Sequence, residues 1–113
     1  MNSDTSMPIN ILFRARVKPG REAVFHDLAA NIVKSTHDKD DGCITFAFHQ
    51  SAEDARNFFV YEQWRDEASM NAHFARLLDE YGPPSEGGVL PSMIQDFFEE
   101  MHAERYHVIE PTR

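Results

Sequence analysis

Four short strand-like stretches and two longer stretches with apolar residues at helical spacing follow one another in the order β-α-β-β-α-β. That order predicts an α+β fold of ferredoxin-like type, βαββαβ, with an extra helix before the last strand. The chain has 113 residues, enough for one domain with its own core and no need of disulfides or a structural metal. No repeat or linker marks a second domain. Residues 1–8 are polar and are expected to be a disordered N-terminus, leaving 9–113 as the single domain.

Ile9 to Val17 alternates strictly. Ile9, Ile11, Phe13, Ala15 and Val17 face one way, and Asn10, Leu12, Arg14 and Arg16 the other. Lys18-Pro19-Gly20 ends this strand. Val24, Phe25, Leu28, Ile32 and Val33 then recur at helical spacing, predicting a helix over 21–37. Asp38 to Gly42 is a polar turn. Cys43 to Gln50 alternates again, with Ile44, Phe46 and Phe48 opposite Thr45, Ala47 and His49.

The third strand, Asn57 to Trp64, is the richest in aromatic and β-branched side chains. Phe58, Val60, Glu62 and Trp64 share one face, and Phe59, Tyr61 and Gln63 the other. Asp66 is an expected N-cap for a helix over 67–81, whose stripe is Met70, His73, Phe74, Leu77 and Tyr81. Gly82 to Gly88 breaks that helix. Pro91 opens a further helix carrying Met93, Ile94, Phe97, Phe98 and Met101, and Arg105 to Glu110 reads as the last strand. In a ferredoxin-like sheet the helices cover one face only. These strands are apolar on both, so a homodimer that buries sheet against sheet is expected, with Tyr61 in the interface.

The net charge is -8 and the pI about 5.1, which argues against nucleic acid or an anionic membrane surface as partner. No apolar run reaches membrane-spanning length, and the first residues lack a signal-peptide pattern. With a single cysteine, Cys43, there is no internal disulfide. The expected location is cytoplasmic.

Arg16-Val17-Lys18-Pro19-Gly20-Arg21-Glu22, Asp41-Gly42-Cys43-Ile44, and Phe59-Val60-Tyr61-Glu62-Gln63-Trp64 followed by His73 together resemble the antibiotic biosynthesis monooxygenase superfamily. The likeness is to its quinol-monooxygenase-like members. It runs from about Ile9 to Tyr81, and Glu-x-Trp followed by His is its most diagnostic part. It implies a dimeric α+β barrel with a cavity between sheet and helices in each subunit. Characterised members often oxygenate phenols or quinols without metal or flavin, so no cofactor is expected. Others degrade haem or act on small carbonyl compounds, and the superfamily alone does not fix the reaction. The haem-degrading branch carries an asparagine where this chain has Phe13, and its histidine lies further along, which disfavours haem degradation. The segment 82–104 is longer than a minimal member needs and is expected to reshape the cavity mouth.

Molecular oxygen reacts poorly with closed-shell organic molecules, so a site without a cofactor must make its substrate electron-rich by removing a phenolic proton. That needs a base titrating near neutrality, a dry aromatic cavity and donors that orient the anion. His73 suits the base. Trp64 can stack on a ring and donate its indole N–H, and Glu62 can orient His73 or hold a substrate hydroxyl. These three are the expected catalytic residues. Arg14, Phe46, Phe74 and Phe97 are the expected substrate-binding ones, Arg14 (or Arg16) to stabilise a phenolate.

Each residue also has a plainer role. Trp64 is a core residue at a strand end, His73 a core-edge histidine bonded to the backbone, and Glu62 half of an ion pair across the sheet. Six histidines raise the question of a metal, but His26, His49 and His107 fall on separate elements with no metal-ligand spacing, so none is expected. Cys43 reads as a small packed residue rather than a nucleophile. Gly82 to Gly88 is either a lid, with Phe97 and Phe98 at the entrance, or a plain connector. Three functions fit: oxygenation of a small phenolic or quinol-like compound by molecular oxygen, isomerisation of a small carbonyl compound on the same scaffold, or non-catalytic binding of a hydrophobic metabolite by a dimer.

Overall fold

The computed structural model describes residues 7–111. The chain runs β1 (Ile9–Val17), α1 (Glu22–Lys39), β2 (Cys43–Gln50), β3 (Asn57–Trp64), α2 (Glu67–Tyr81), α3 (Ser92–Gln95) and β4 (Phe98–Tyr106). All four strands form one antiparallel sheet in the order β2-β3-β1-β4, the arrangement of the split βαβ unit. β1, β2, β3 and α2 occupy their predicted ranges, and α1 is displaced by one residue at its start and two at its end. The expected N-terminal disorder falls on residues of which 1–6 lie outside those described.

The C-terminal part differs from the sequence reading. The helix after Pro91 is a single turn, and the last strand is Phe98–Tyr106 rather than 105–110. Apolar residues at 93, 94, 97, 98 and 101 imitate a helical stripe. Helix there would leave one edge of β1 without hydrogen-bond partners. Instead β4 pairs along β1 from Val17↔Phe98 to Asn10↔Tyr106, with a register shift at Arg16/Val17. As the outer strand it is mostly exposed and carries Glu99, Glu100, Glu104 and Arg105, which suits an edge.

One sheet face carries the core. Ile11, Ala15 and Val17 of β1, Phe46 of β2, and Phe58, Val60, Glu62 and Trp64 of β3 are buried beneath Phe25, Ala29 and Ile32 of α1 and Met70, His73 and Leu77 of α2. Phe25 is the hub, with ring centroids 4.9 Å from Phe58, 5.2 Å from Phe98 and 5.5 Å from Phe97. Such pairs add stability beyond the area they bury.

Phe97 and Phe98 therefore belong to this core and do not stand at an entrance. The other sheet face is open. Phe59 is exposed there, its ring stacked on His49 at 4.5 Å, and Tyr61 is half-buried. The second and last strands lie at opposite edges, as expected; His49 is on the second, while His107 follows the end of the last strand at Tyr106 rather than lying on it.

Two turns place the site. Asp66 caps α2 by accepting from Ser69 N–H at 2.8 Å, so α2 starts directly after Trp64. At the same end of the sheet, α1 stops at Asp40, whose N–H bonds to Thr36 O at 3.0 Å. The chain then turns through Gly42, packed against the first turn of α2. A β-carbon on Gly42 would lie 2.1 Å from Ser69 Cβ. Only glycine allows this approach.

Candidate active site

Between the helix-covered sheet face, α2 and the segment 87–90 lies a cavity of about 650 Å³. Its wall is mostly apolar, with Ile11, Phe13, Phe46, Phe48, Phe74 and Leu90 among its residues. Two titratable side chains are buried in that wall, Glu62 of β3 and His73 of α2, at 6% and 1% exposure.

Strand alternation places Glu62 and Trp64 side by side on the covered face. The Trp64 indole N–H donates to Glu62 Oε1 at 2.9 Å. Burial pushes the Glu62 carboxyl up to about 7, although the Trp64 bond pulls the other way. Glu62 is thus a carboxylic acid able to give or take a proton near neutral pH. Trp64 is wholly buried; its N–H is used on Glu62 rather than offered to a ligand.

His73 lies one helical turn beyond Ser69. Its ring packs 4.5 Å from Trp64, 5.1 Å from Phe46 and 5.5 Å from Phe74, centroid to centroid. Nδ1 meets Asp40 Oδ2 at 2.7 Å. Burial lowers the imidazole from its ordinary value, with the Asp40 bond opposing that shift and Arg76 reinforcing it. Burial acts on Asp40 in the opposite direction and tends to raise it, but hydrogen bonds from Arg76 and His73 outweigh it and hold the carboxylate below its usual range. An ionised Asp40 accepts only, so Nδ1 carries the proton of a neutral His73 and Nε2 keeps its lone pair.

The structure thus brings together Glu62, Trp64, His73, Phe46 and Phe74, and separates the other two expected residues. Arg14 projects from the opposite sheet face, where it is exposed, because it alternates with the inward Phe13 and Ala15. It lines a second depression of about 690 Å³ with Arg16, Phe59, Glu100 and His102. Arg16 is tied there to Asp54 at 2.8 Å. Phe97 is buried against Phe25, with the Arg21 guanidinium 4.1 Å over its ring, and it does not line the cavity.

Glu62 neither orients His73 nor pairs with an arginine. Asp40 takes the orienting role. The sequence reading passed over Asp40 and Arg76. Arg76 did leave a signal, since it follows His73 by three residues on one helical face. Cys43 is half-buried with its thiol pushed up by burial, then by Asp40 and Glu62, the environment of an inert thiol. Among the described residues no three His, Cys, Asp or Glu side chains gather as a metal would require, and no helix is long and apolar enough to cross a membrane.

The sequence profile of the antibiotic biosynthesis monooxygenase family matches residues 8–78. The chain belongs to this family. An uncharacterised protein of Synechocystis sp. is 27% identical over 67 residues, 59% of this chain and 45% of that protein, so the chain spans under half of that relative's length.

Solved structures show the same fold. A candidate antibiotic biosynthesis monooxygenase of Bacteroides thetaiotaomicron superposes with a TM-score of 0.77 at 13% identity, over 92% of this chain and 91% of that one. A Pseudomonas aeruginosa protein gives 0.73 at 18% identity, over 94% and 98%. Glu62, Trp64, His73, Asp40 and Arg76 all fall within the stretch shared with the antibiotic biosynthesis monooxygenases. The cavity wall at 87–90 lies outside it.

Proposed function

We propose that this protein is a cofactor-independent monooxygenase that oxidises a small phenolic or quinol-like compound with molecular oxygen. The observation that carries the reading is the pair of buried proton-transfer groups, Glu62 and His73, in one apolar, aromatic-walled cavity. A phenol titrating near 10 must lose its proton at a cost of about 4 kcal/mol at pH 7. His73 Nε2 takes that proton, and the Glu62 carboxylic acid donates a hydrogen bond to the oxyanion left behind, a charge-assisted contact worth roughly 1.5–3 kcal/mol.

The phenolate passes one electron to oxygen, and the resulting radical and superoxide join through a carbon–oxygen bond. His73 returns its proton to the peroxide. His73, neutral again, then takes the ring hydrogen as a proton while the oxygen–oxygen bond breaks; the leaving oxygen takes a proton from Glu62 and departs as water, and the proton on His73 passes to Glu62 to restore the site. Phenol plus oxygen gives quinone plus water, with no external reductant. The phenyl rings of Phe46 and Phe74 hold the substrate ring and keep water away from the anion.

Oxygen uptake by metal-stripped protein with a panel of quinols and polyphenols tests this. Uptake above autoxidation that falls roughly 100-fold or more in H73N is expected. Uptake unaffected by H73N would remove His73 from the role, and no uptake across the panel would overturn the oxygenase.

The acid–base pair also fits proton transfer on a small carbonyl compound, with His73 removing a proton and Glu62 polarising the carbonyl. Solvent deuterium entering the substrate without oxygen uptake marks that reading. In either case the open face, with Phe59 and Tyr61, is proposed to be covered by a second copy of the chain.

A further inference from the structure

Asp40 does not meet His73 alone. The Arg76 guanidinium grips both of its carboxylate oxygens, Nε to Oδ1 at 2.8 Å and Nη2 to Oδ2 at 2.9 Å, and Oδ2 is the oxygen that faces His73 Nδ1 at 2.7 Å. Arg76 is fixed in turn by Ser35 Oγ and Thr36 Oγ1, each at 3.2 Å, and by Glu80 at 3.0 Å. Lys39 closes the chain by holding Glu80 at 3.0 Å. The Asp40 and Arg76 side chains are 7% and 14% exposed, so the pair is little screened by solvent.

We propose that Arg76 is a positioning residue of the site: its two-pronged hold on Asp40 fixes His73 in the Nδ1–H tautomer and keeps it neutral, with Nε2 free to accept a proton. The inference rests on the reading of His73 as the base.

The electrostatic argument is direct. A lone buried carboxylate beside an imidazole favours the imidazolium, and an imidazolium cannot act as a base. With Arg76 clamped on, Asp40 and Arg76 together carry no net charge. His73 then meets an oriented acceptor rather than an uncompensated anion. The fork matters because it spans both oxygens in the carboxylate plane and so stops the carboxylate turning away from Nδ1. A lysine, a point charge on a flexible stem, would keep the charge and lose that orientation.

The other titratable groups about His73 are Glu62 of β3, which lines the same cavity, and Cys43 of β2, which senses both Asp40 and Glu62. Burial biases each towards its neutral form, leaving Asp40 and Arg76 as the charges that set the state of the ring. Phe46, Trp64 and Phe74 complete the packing around it.

A cluster that only ties α1 to α2 would show itself differently. The test is a nitrogen-15 NMR titration of the His73 ring in the free protein, for wild type, R76Q, R76K and D40N, with thermal unfolding alongside. The wild-type ring is expected as a single Nδ1–H tautomer. R76Q leaves Asp40 uncompensated, so the His73 midpoint should move up. D40N should move it down and mix the tautomers. R76K should keep the midpoint near wild type with a mixed tautomer population.

A midpoint and tautomer unchanged in R76Q, with only the melting temperature lowered, would overturn the proposal. If R76Q does not fold, R76K decides: an unmixed tautomer there would equally overturn it. NMR shifts as expected in a protein that turns over no phenol would uphold the positioning role and count against the oxygenase.

Discussion

Glu62 and Trp64 lie two residues apart on one strand face, joined by a buried 2.9 Å hydrogen bond from the indole N–H to the carboxyl. That bond satisfies one carboxyl oxygen and leaves the other to the cavity. Burial carries the folded-state titration from 4.5 to about 7. A raised carboxyl means that the folded state prefers the protonated form. The stability this group contributes is complete below pH 4.5 and lost as pH rises through 7.

The shift corresponds to about 3 kcal/mol. E62Q keeps the oxygen that accepts from Trp64 and removes the titration. Urea unfolding should therefore find E62Q close to wild type at pH 4.5 and more stable by up to about 3 kcal/mol at pH 8. Equal stability at pH 8 would mean that Glu62 is not held protonated by the fold.

His73 has the opposite sign. Its folded-state value is depressed, chiefly by burial, so the unfolded chain takes up the proton first as pH falls below about 6.5. Stability is complete above that point and is lost below it. H73N should flatten this acid-side loss in denaturant unfolding between pH 7 and 5. The same titration sets the acid limb of kcat/KM, since only neutral His73 accepts a proton. An acid limb that survives H73N would point to another group.

Glu62, Trp64 and His73 could be grouped from sequence because strand alternation and helical spacing are local rules. Residues 58, 60, 62 and 64 share a face whatever they pack against. Asp40 was invisible for the converse reason. Asp38 to Asp41 looks like an ordinary solvated turn, and only the packing of Gly42 on Ser69 carries Asp40 to a helix more than thirty residues further on. The last strand was misread because its pairing with β1 outweighs a local pattern at 93–101 that favours helix; Glu99, Glu100 and Glu104 have little intrinsic preference for a strand. Arg14 was placed in the site although its own alternation already set it opposite Phe13.

Gly42 offers a test of that packing. An alanine β-carbon would meet Ser69 Oγ at 2.0 Å and Cβ at 2.1 Å, so the turn or the start of α2 must move. G42A should cost about 1–3 kcal/mol in urea unfolding and loosen the Asp40–His73 bond, visible as a shifted His73 resonance. S69G removes the obstructing atoms, so the double variant should recover part of the loss. Strictly additive costs in that double-mutant cycle would show that the two residues do not press on each other.

The segment between α2 and α3 forms part of the cavity wall through Gly87, Gly88, Val89 and Leu90. Its ends are tied together by the Pro84–Pro91 bridge and by Ser92 N–H to Pro83 O at 2.9 Å. This favours a fixed wall over a free lid. Leu90 is half-buried and apolar, so L90A should widen the cavity while leaving Glu62 and His73 in place. A few missing methyl groups in an apolar pocket shift selectivity by about 10-fold or more. Turnover should therefore move from single-ring to fused-ring quinols, read as the ratio of kcat/KM values. An unchanged ratio would show that the segment does not contact the substrate.

The open sheet face makes the last prediction. Phe59 is 37% exposed although it lies on a central strand of the sheet, stacked on His49 and beside half-buried Tyr61. An aromatic group left there in a lone chain is costly to hydrate and suits a second sheet laid across it. Sedimentation at micromolar concentration should find the wild type as a dimer. F59D would bury a carboxylate in that contact, so it should run as a monomer with an unchanged far-ultraviolet circular dichroism spectrum. A wild-type monomer would leave this face to solvent; a dimer untouched by F59D would place the contact elsewhere, with the β4 edge the next surface to test by a proline at His102.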